Sequence, residues 1–314
     1  MSQGAIIATA AEVPRRGARF RSRWSERPLL WITPLAFLLF ASYIYPALEV
    51  IRFSFTDATL LNPDYNYTLE TYGNATANPD LPDILRTTLI FVAASVFFQL
   101  FLGLLVAMAL HRGMKRGLIG VTFLRIVILA SWIVPGVASG IVWQLMFSEA
   151  TYGFLDGVLK LMGLPAVAWL SSPGIAIWST VLANVWRGTA FSMILLYAGL
   201  VVIPGSLYEA AAVDGATAAQ RFRLIILPLM LPAAFLALIL RMMDAFRVFD
   251  IIFVTTSGGP ADATNTLMIY GVKQGLEFFN IGAASAVSTV IVVCILVMAA
   301  AFIGVIRPAR SRHA

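Results

Sequence analysis

The residues with the clearest chemical potential are four charged side chains, spaced three apart within an otherwise apolar stretch. Arg241, Asp244, Arg247 and Asp250 alternate in sign along the chain. A lone charge inside a membrane costs at least ~2.5 kcal/mol, so such residues usually face a protein or water-filled interior and pair with each other. On a helix, residues three apart are neighbours. The spacing therefore predicts that each of these residues pairs with the next.

The same spacing limits what the four side chains can do together. At about 100° per residue, the row turns by about 60° at each step, so four residues cannot all line one cavity. Some of them must be structural. Arg247 and Asp250, in the outer half of the segment, are candidates for the lining of a solute path. An ion pair that braces the helix is the competing interpretation, and the residues alone leave both open.

Weaker candidates for a solute path lie in two other apolar stretches. They are Asn184 and Arg187 in one stretch, and Trp143 and Gln144 in the other. Hydrogen-bonding groups next to an aromatic ring are what a polar solute requires of a binding site. Trp143 suits equally well an interfacial anchor at the membrane surface.

Several kinds of chemistry have no residues to support them. The chain lacks the G-x-x-x-x-G-K-[ST] pattern of a P-loop, because Lys115, Lys160 and Lys273 all stand in the wrong context. We find neither an exposed nucleophile with a base nor a carboxylate pair in a water-facing loop, and we therefore expect no catalytic residues. A single cysteine and two histidines leave no basis for a metal site of those residues, and we expect none.

The composition indicates a membrane protein with an all-α, polytopic fold. The chain has 314 residues, of which 60% are hydrophobic and 12% are charged, and its mean hydropathy is +0.85. Soluble domains carry about 25% charged residues. The net charge of +6 is no sign of nucleic-acid binding, because the basic residues lie at segment ends and in the tails. The predicted environment is a lipid bilayer.

The apolar stretches predict six transmembrane helices joined by short loops. We place them at about residues 28–54, 87–110, 118–147, 174–202, 224–254 and 281–306. The first stretch is too long for the apolar region of a signal peptide, so we expect it to be retained. Pro135-Gly136 predicts a kink near the middle of the third span. Residues 255–279 are expected to form an outer loop.

The distribution of lysine and arginine predicts the orientation in the membrane. Basic residues are concentrated in the tails at 1–27 and 307–314, the turn at 111–117 and the segment at 204–223. The loops on the opposite side carry Arg86, Lys160 and Lys273. Because basic loops stay in the cytosol, both termini and the segment at 204–223 are predicted to be cytosolic.

Residues 203–228 form a polar, small-residue segment between two apolar stretches, with the sequence IPGSLYEAAAVDGATAAQRFRLIILP. Ser206 with Glu209, and Thr217 with Gln220, match the capping box that starts a helix. Asp214-Gly215 lies between the two boxes and supplies a residue that tolerates positive φ. The segment is therefore predicted to form two short helices joined by a corner. The first helix is too short to be stable alone and needs a surface to pack on.

The spacing within this segment resembles the E-A-A-x3-G-x9-I-x-L-P motif of the membrane subunits of binding-protein-dependent ABC importers. Every fixed position matches: Glu209-Ala210-Ala211, Gly215 and Ile225-x-Leu227-Pro228. The resemblance implies that the first helix is a coupling helix in a groove of a cytosolic ATPase subunit. The residues assigned to this contact are Ser206, Tyr208, Glu209, Ala210, Ala211, Asp214 and Gly215. The competing interpretation is that Glu209 merely caps its own helix.

Two further segments resemble the carbohydrate, maltose-type branch of the same family. One begins at Phe249-Asp250 and ends in Thr256-x-Gly258-Gly259-Pro260, and the other is Trp186-Arg187-Gly188 ahead of Ile203-Pro204. Sugar recognition requires polar groups with an aromatic face, and the residue types at membrane depth are compatible with it. The sugar itself stays unidentified. An importer of glycerol phosphate, amino acids or phosphate is the nearest alternative within the family.

The resemblance also implies an assembly and a location. A second, homologous permease, two ATPase subunits and an extracytoplasmic sugar-binding protein are the expected partners, in a bacterial cytoplasmic (inner) membrane. ATP and Mg²⁺ would be bound by the ATPase subunits, so no cofactor is expected in this chain. Two rivals come from other classes. An ion-coupled secondary transporter would use the fifth-span carboxylates as proton or sodium sites, and a membrane scaffold or channel would lack ATP coupling.

Overall fold

A computed structural model describes residues 28–62, 64–150 and 153–310. These residues are helical, apart from loops and two isolated β-bridges, Thr56 with Tyr67 and Thr59 with Asn280. The predicted basic tail at 1–27 and residues 311–314 of the second tail lie outside the described part. The α-helices are α1 Pro28–Leu39, α2 Tyr45–Phe53, α3 Glu70–Ala77, α4 Leu81–Lys115, α5 Val121–Ile133, α6 Gly136–Met146, α7 Phe154–Leu161, α8 Pro173–Val201, α9 Gly205–Val213, α10 Ala218–Arg221, α11 Leu227–Phe246, α12 Asp250–Thr256, α13 Leu267–Leu276 and α14 Ile281–Arg310.

The chain divides into two units, at residues 1–49 and 50–314. α1 lies in the first unit and continues into a π-helical turn at Phe40–Ile44 and then into α2, whose last four residues belong to the second unit. Together these segments give an apolar helix at Trp31–Phe53, long enough to cross a membrane. Its exposed aromatic side chains include Trp31 and Phe37. Such an apolar surface is suited to lipid or to a membrane partner.

The second unit is built around the packing of α4 on α8. Gly103 of α4 lies so close to Ser192 of α8 that a β-carbon on the glycine would be 2.7 Å from the Ser192 Cβ. Small residues at such crossings allow helix backbones to approach closely within a membrane. The fully buried Phe91, Ile252 and Ile269 come from α4, α12 and α13 and share one apolar cluster. α4 and α8 are thus the inner helices of this unit.

The structure has five helices that are long and apolar enough to span a membrane, and up to six if a bent pair counts as one span, among the described residues. The bent pair is α5 with α6, which meet at 103°. The sequence predicts a kinked third span at 118–147, but the break after Ile133 is far sharper than a kink. Pro135 has no amide hydrogen to continue the helix, and α6 starts afresh beyond it.

The short helix α6 turns toward α12 and packs closely on it through two glycines. Gly136 lies against the carboxylate of Asp250, with no room for a β-carbon between them. A β-carbon on Gly140 would lie 2.8 Å from the Cβ of Val254. Because both pairs are four residues apart, the two glycines form one groove on α6 that receives one face of α12.

The fifth span also differs from its predicted bounds of 224–254. It starts earlier, at Ala218, passes through a π-helical turn at Phe222–Ile226, and ends at Phe246. The helix stops there, and α12 is a separate short helix that begins at Asp250. The predicted outer loop at 255–279 is likewise partly helical, since it contains α13.

Candidate functional site

A buried arginine organises the polar groups between α4, α8 and α11. The Arg241 side chain is 4% exposed, and its Nε donates a hydrogen bond to Gln99 Oε1 at 2.8 Å. Gln99, itself fully buried, donates from Nε2 to the backbone carbonyl of Asn184 at 2.9 Å. The guanidinium also lies over the ring of Phe191, 5.6 Å from its centroid. Three helices are therefore tied together through one cation and one amide.

Asp244 lies between two arginines of the same helix end. Its Oδ2 is 2.9 Å from Arg241 Nη2, and its Oδ1 is 3.0 Å from Arg247 Nη2. The structure therefore confirms the predicted i,i+3 pairs Arg241–Asp244 and Asp244–Arg247. The two arginines differ in environment, because the Arg247 side chain is 72% exposed. Of the pair proposed for a solute path, Arg247 is thus the residue open to its surroundings.

The third predicted pair, Arg247 with Asp250, does not form. Asp250 instead pairs with Arg187 of α8, with Arg187 Nη1 3.5 Å from Asp250 Oδ2. The reason is the break between α11 and α12: Arg247 is the C-cap of α11 and Asp250 opens the next helix, so they no longer share one helical face. For the same reason, the 60° rotation argument does not extend to Asp250. Both side chains of the Arg187–Asp250 pair are a little under one third exposed.

Gly188 provides the space in which this network assembles. A β-carbon on this residue would collide with the Gln99 side-chain amide and would lie 2.7 Å from Arg241 Nη2. The position after Arg187 therefore needs a residue without a side chain. This explains in physical terms why Trp186-Arg187-Gly188 has its glycine where it does: the arginine pairs with α12 while the glycine admits the α4–α11 contact.

The other predicted path residues occupy different environments. Asn184 is 2% exposed, and its Nδ2 has no hydrogen-bond partner among the described residues. Trp143 is buried and contacts the rings of Phe147 and Trp186, at centroid distances of 5.2 Å and 6.0 Å. That packing replaces the interfacial-anchor interpretation with a core one. Gln144, one position further on, is exposed.

The segment with the E-A-A motif is a short helix with little burial. α9 runs from Gly205 to Val213 between the long helices α8 and α11, and within it Ala211 is the buried residue. Glu209 and Ala210 are exposed, and neither the Glu209 nor the Asp214 carboxylate contacts a polar partner among the described residues. Val213 is 88% exposed. One side of α9 thus rests on the protein through Ala211, and the other is free.

The two predicted helix starts have different outcomes. The Thr217–Gln220 capping box is confirmed, with the Gln220 amide donating to Thr217 Oγ1 and the Thr217 amide donating to Gln220 Oε1. The Ser206–Glu209 box does not form, because the N-cap of α9 is Pro204, two residues before Ser206. Ser206 is therefore inside the helix. Glu209 consequently has no capping role, which removes the competing interpretation of that residue.

Gly215 makes the corner between α9 and α10, as predicted. Its φ is +70°, a left-handed conformation that glycine adopts without strain. The amide of Ala216 then donates to the carbonyl of Ala211 at 2.9 Å. This bond closes the end of α9 in the manner of a glycine-terminated helix. The direction in which the chain leaves α9 is thus fixed by backbone geometry.

The Thr-x-Gly-Gly-Pro segment forms a closed loop after α12. Thr256 Oγ1 and Thr264 Oγ1 share a hydrogen bond of 2.7 Å, and Thr264 Oγ1 also donates to the carbonyl of Gly259 at 2.8 Å. Gly258 has a φ of +88°. Thr264 is fully buried. In this chain the segment thus contributes to a rigid connection between α12 and α13.

Sequence reasoning missed Gln99, which joins Arg241 to α8. The available signal was a single amide in an otherwise apolar span, Phe98-Gln99-Leu100. A polar side chain at membrane depth usually faces a helix neighbour and finds a partner there. Because Gln99 carries no charge, a search for charged residues in apolar spans does not find it.

Comparison with solved structures defines the class of fold. The structure is similar to a subunit in the crystal structure of a bacterial ABC transporter involved in the import of the acidic polysaccharide alginate. The TM-score is 0.77 at 19% sequence identity, over 91% of this chain and 98% of that chain. The fold is therefore that of the membrane-embedded part of an ABC transporter.

Comparison of sequences defines the family. Residues 99–312 match the model of the binding-protein-dependent transport system inner membrane component. This chain belongs to that family and is a multi-pass membrane transport component. It is 41% identical over 208 residues to the trehalose/maltose transport system permease protein MalF of Thermococcus litoralis, covering 66% of this chain and 68% of the relative. It is 34% identical over 290 residues to the trehalose transport system permease protein SugA of Mycobacterium tuberculosis, covering 91% of each chain.

Proposed function

We propose that this chain is a permease subunit of an ATP-binding-cassette sugar importer, and that α9 transmits the motion of an ATPase to the membrane helices. The observation that carries the proposal is the E-A-A helix itself. It stands between two long apolar helices, is anchored by Ala211, and leaves Glu209, Ala210 and Val213 exposed. A short helix with a small-residue face suits docking in a groove, and an unpaired glutamate suits an arginine of the partner.

The proposed assembly contains a second, homologous permease, two ATPase subunits that bind ATP and Mg²⁺, and an extracytoplasmic binding protein. Both termini and α9 lie in the cytosol in this arrangement, and the membrane is the bacterial inner membrane. ATP-driven closure of the ATPases draws the coupling helices together and opens the membrane cavity outward, where the binding protein releases its sugar. This chain forms half of the path and catalyses no reaction.

The sugar class is supported by the relatives, two of which are named as trehalose or trehalose/maltose permeases. The side chains of the Arg187–Asp250 pair are a little under one third exposed, and Arg247 is largely exposed, so these groups of the network remain partly accessible. These residues are the proposed contacts of this subunit with its solute. Their charges of both signs are compatible with a neutral, hydroxyl-rich solute that donates and accepts hydrogen bonds.

Uptake into membrane vesicles tests the importer mechanism. Vesicles with the full complex should accumulate sugar when an ionophore has removed all ion gradients, and should stop when ATP or the binding protein is withheld. Uptake that follows the ion gradient instead would establish the secondary transporter. Glycerol phosphate, supplied in parallel, separates the sugar importer from its nearest alternative.

Co-purification tests the role of α9. Glu209→Lys and Gly215→Trp should abolish recovery of the ATPase with the permease while the permease still inserts in the membrane. Glu70→Lys, an exposed glutamate at the start of α3, is the matched control and should retain the ATPase. Unchanged recovery with all three variants would refute the coupling role and leave a scaffold or channel.

A further inference from the structure

A basic cavity of about 460 Å³ opens beside α9, at the end of α4. Its polar lining consists of His111, Arg112, Lys115, Arg116, Tyr208 and Arg221. Among the residues that the structure describes, no aspartate or glutamate lines the cavity. Four of the lining residues are cations: Arg112, Lys115, Arg116 and Arg221. In the described part of the chain, no salt bridge joins any of the four to a carboxylate. The cavity therefore concentrates positive charge that the described residues do not neutralise with a carboxylate.

Three buried polar atoms in this lining lack a hydrogen-bond partner in the described part of the chain. They are Nε2 of His111, the phenol oxygen of Tyr208 and Nε of Arg221. Burying such a group without a partner costs ~1–3 kcal/mol. Three helices contribute one such atom each: α4, α9 and α10. The residues that carry these atoms all line the cavity, so α4, α9 and α10 each bring a polar side chain to its wall.

The chemistry of the lining points to an anion with several oxygen atoms. Arginine offers a planar set of donors that matches phosphate, and lysine offers a point charge. Burial raises the pKa of Tyr208, so its hydroxyl stays protonated and able to donate. The Lys115 ammonium lies 4.6 Å from the centre of the Tyr208 ring. Lys115, at the end of α4, therefore contacts α9 directly. Multiple donors with no acidic neighbour suit phosphate better than a neutral solute.

We propose that this cavity binds a phosphate-bearing anion, with Arg112, Arg116 and Arg221 as its principal donors. The phosphate of an anionic phospholipid headgroup and that of a soluble phosphate ester share this chemistry. The remaining wall favours the lipid, because Met108, Leu200 and Ile226 add apolar side chains from three membrane spans. Basic pockets at such helix ends are typical sites for phospholipid headgroups.

A bound phosphate would connect the membrane domain to the segment that carries the E-A-A motif. Arg112 and Arg116 lie at the end of α4, whereas Tyr208 lies on α9 and Arg221 at the end of α10. An anion held by all of them ties α9 to α4 without contacting the exposed face with Glu209. An effect of the bound phosphate on ATPase coupling rests on the proposed function of α9. The binding of phosphate to the cavity does not.

Native mass spectrometry of the purified full-length chain tests the site directly. The chain is titrated with phosphatidylglycerol, with phosphatidylcholine and with inorganic phosphate. We expect phosphatidylglycerol to bind more tightly than phosphatidylcholine, and Arg112→Gln/Arg221→Gln to weaken phosphatidylglycerol binding by about tenfold or more. The matched control is Arg223→Gln, an exposed arginine two residues from Arg221 that does not line the cavity. It should change the affinity less than twofold.

The results distinguish the sources of phosphate from each other and from a false assignment. Displacement of phosphatidylglycerol by millimolar inorganic phosphate, with the same dependence on Arg221, supports a soluble phosphate ester as the ligand. Equal binding of the two lipids, or equal weakening by Arg112→Gln/Arg221→Gln and by Arg223→Gln, overturns the proposal. Should the double variant fail to fold, hydrogen exchange of the wild-type chain decides: phosphatidylglycerol must protect residues 205–221 more than phosphatidylcholine does. Because none of these measurements involves transport, their failure leaves the proposed importer function untouched.

Discussion

The Arg241 network and the α9 segment both place charged residues between apolar helices, but they treat those charges in opposite ways. In the network, Arg241 is bonded to Gln99 and Asp244, and Asp244 also binds Arg247. In the α9 segment, Glu209 and Asp214 are exposed and unpaired among the described residues. Arg241 and Asp244 find their partners within the chain, whereas Glu209 and Asp214 find none among the described residues.

The contrast follows from what each region must do in the folded chain. A charge at membrane depth that lacks a partner is costly, so the network must be complete before any partner arrives. Exposed polar groups carry no such penalty, and α9 rests on the protein through Ala211 and Tyr208. The first region therefore stabilises the fold of this subunit, and the second is available for contact with another. Three pairs of substitutions test this division.

The largest effect is expected from the two arginines that share Asp244. Arg241→Ala leaves Gln99 and Asp244 without their buried partner, and it should lower the free energy of unfolding by about 3–5 kcal/mol. Arg247→Ala removes a side chain that is 72% exposed, and the loss should stay below ~1 kcal/mol. Reversible unfolding in mixed micelles, followed by circular dichroism, measures both. Equal losses of unfolding free energy in the two variants would contradict the conclusion that Arg241, and not Arg247, stabilises the fold.

A smaller loss is expected where α6 meets α12. Gly136→Ala introduces a methyl group into the space of the Asp250 carboxylate, and overpacking of this kind costs about 1–3 kcal/mol. Gly157→Ala, in α7, has open space around the new methyl group and should be neutral or stabilising by up to ~1 kcal/mol. The double variant Gly136→Ala/Asp250→Ala should lose less than the sum of its single changes, because the collision is then removed. Additive losses would show that the two residues do not share this space.

Much of the architecture follows from the sequence because long apolar stretches have few alternatives to a helix in a membrane. The predicted second and fourth spans correspond to α4 and α8, with longer or shifted ends. The sequence also suffices for the corner at Gly215 and the capping box at Thr217, since both depend on residues within one turn. Local rules therefore succeed where local geometry decides the outcome.

Predictions fail where the outcome depends on contacts between helices. The predicted Arg247–Asp250 pair requires one continuous helix. The helix ends at Phe246, however, and Asp250 pairs with Arg187 on α8 instead. Pro135-Gly136 marks the break between α5 and α6, but the angle of 103° and the packing of α6 on α12 through Gly136 and Gly140 are visible only in the structure. Gln99 has no charge to mark it, and its role becomes visible only when α4 lies beside α11. Neither periodicity nor spacing contains this information.

The smallest effect is expected at the starts of the two short helices, at Ser206 in α9 and Thr217 before α10. Thr217→Ala removes a side-chain acceptor from the start of α10, a change that costs about 1 kcal/mol at a helix N-cap. Ser206→Ala removes a hydroxyl that caps nothing, and the change should stay within ~0.5 kcal/mol. Hydrogen exchange of the amides at 218–221, compared with those at 207–213, measures each effect locally.

α9 and α10 are neighbours in sequence, but they are held in place differently, and the variants Ser206→Ala and Thr217→Ala test them separately. α10 has its own cap and continues through the π-helical turn into the fifth span, so its position is fixed by the membrane domain. α9 has no side-chain cap at its start and one buried residue within it. Its amides should therefore exchange faster than those of α10 in the isolated chain, and slow down when the ATPase binds. Slow exchange of α9 in the isolated chain would mean that the helix is already rigid and gains no order from a partner.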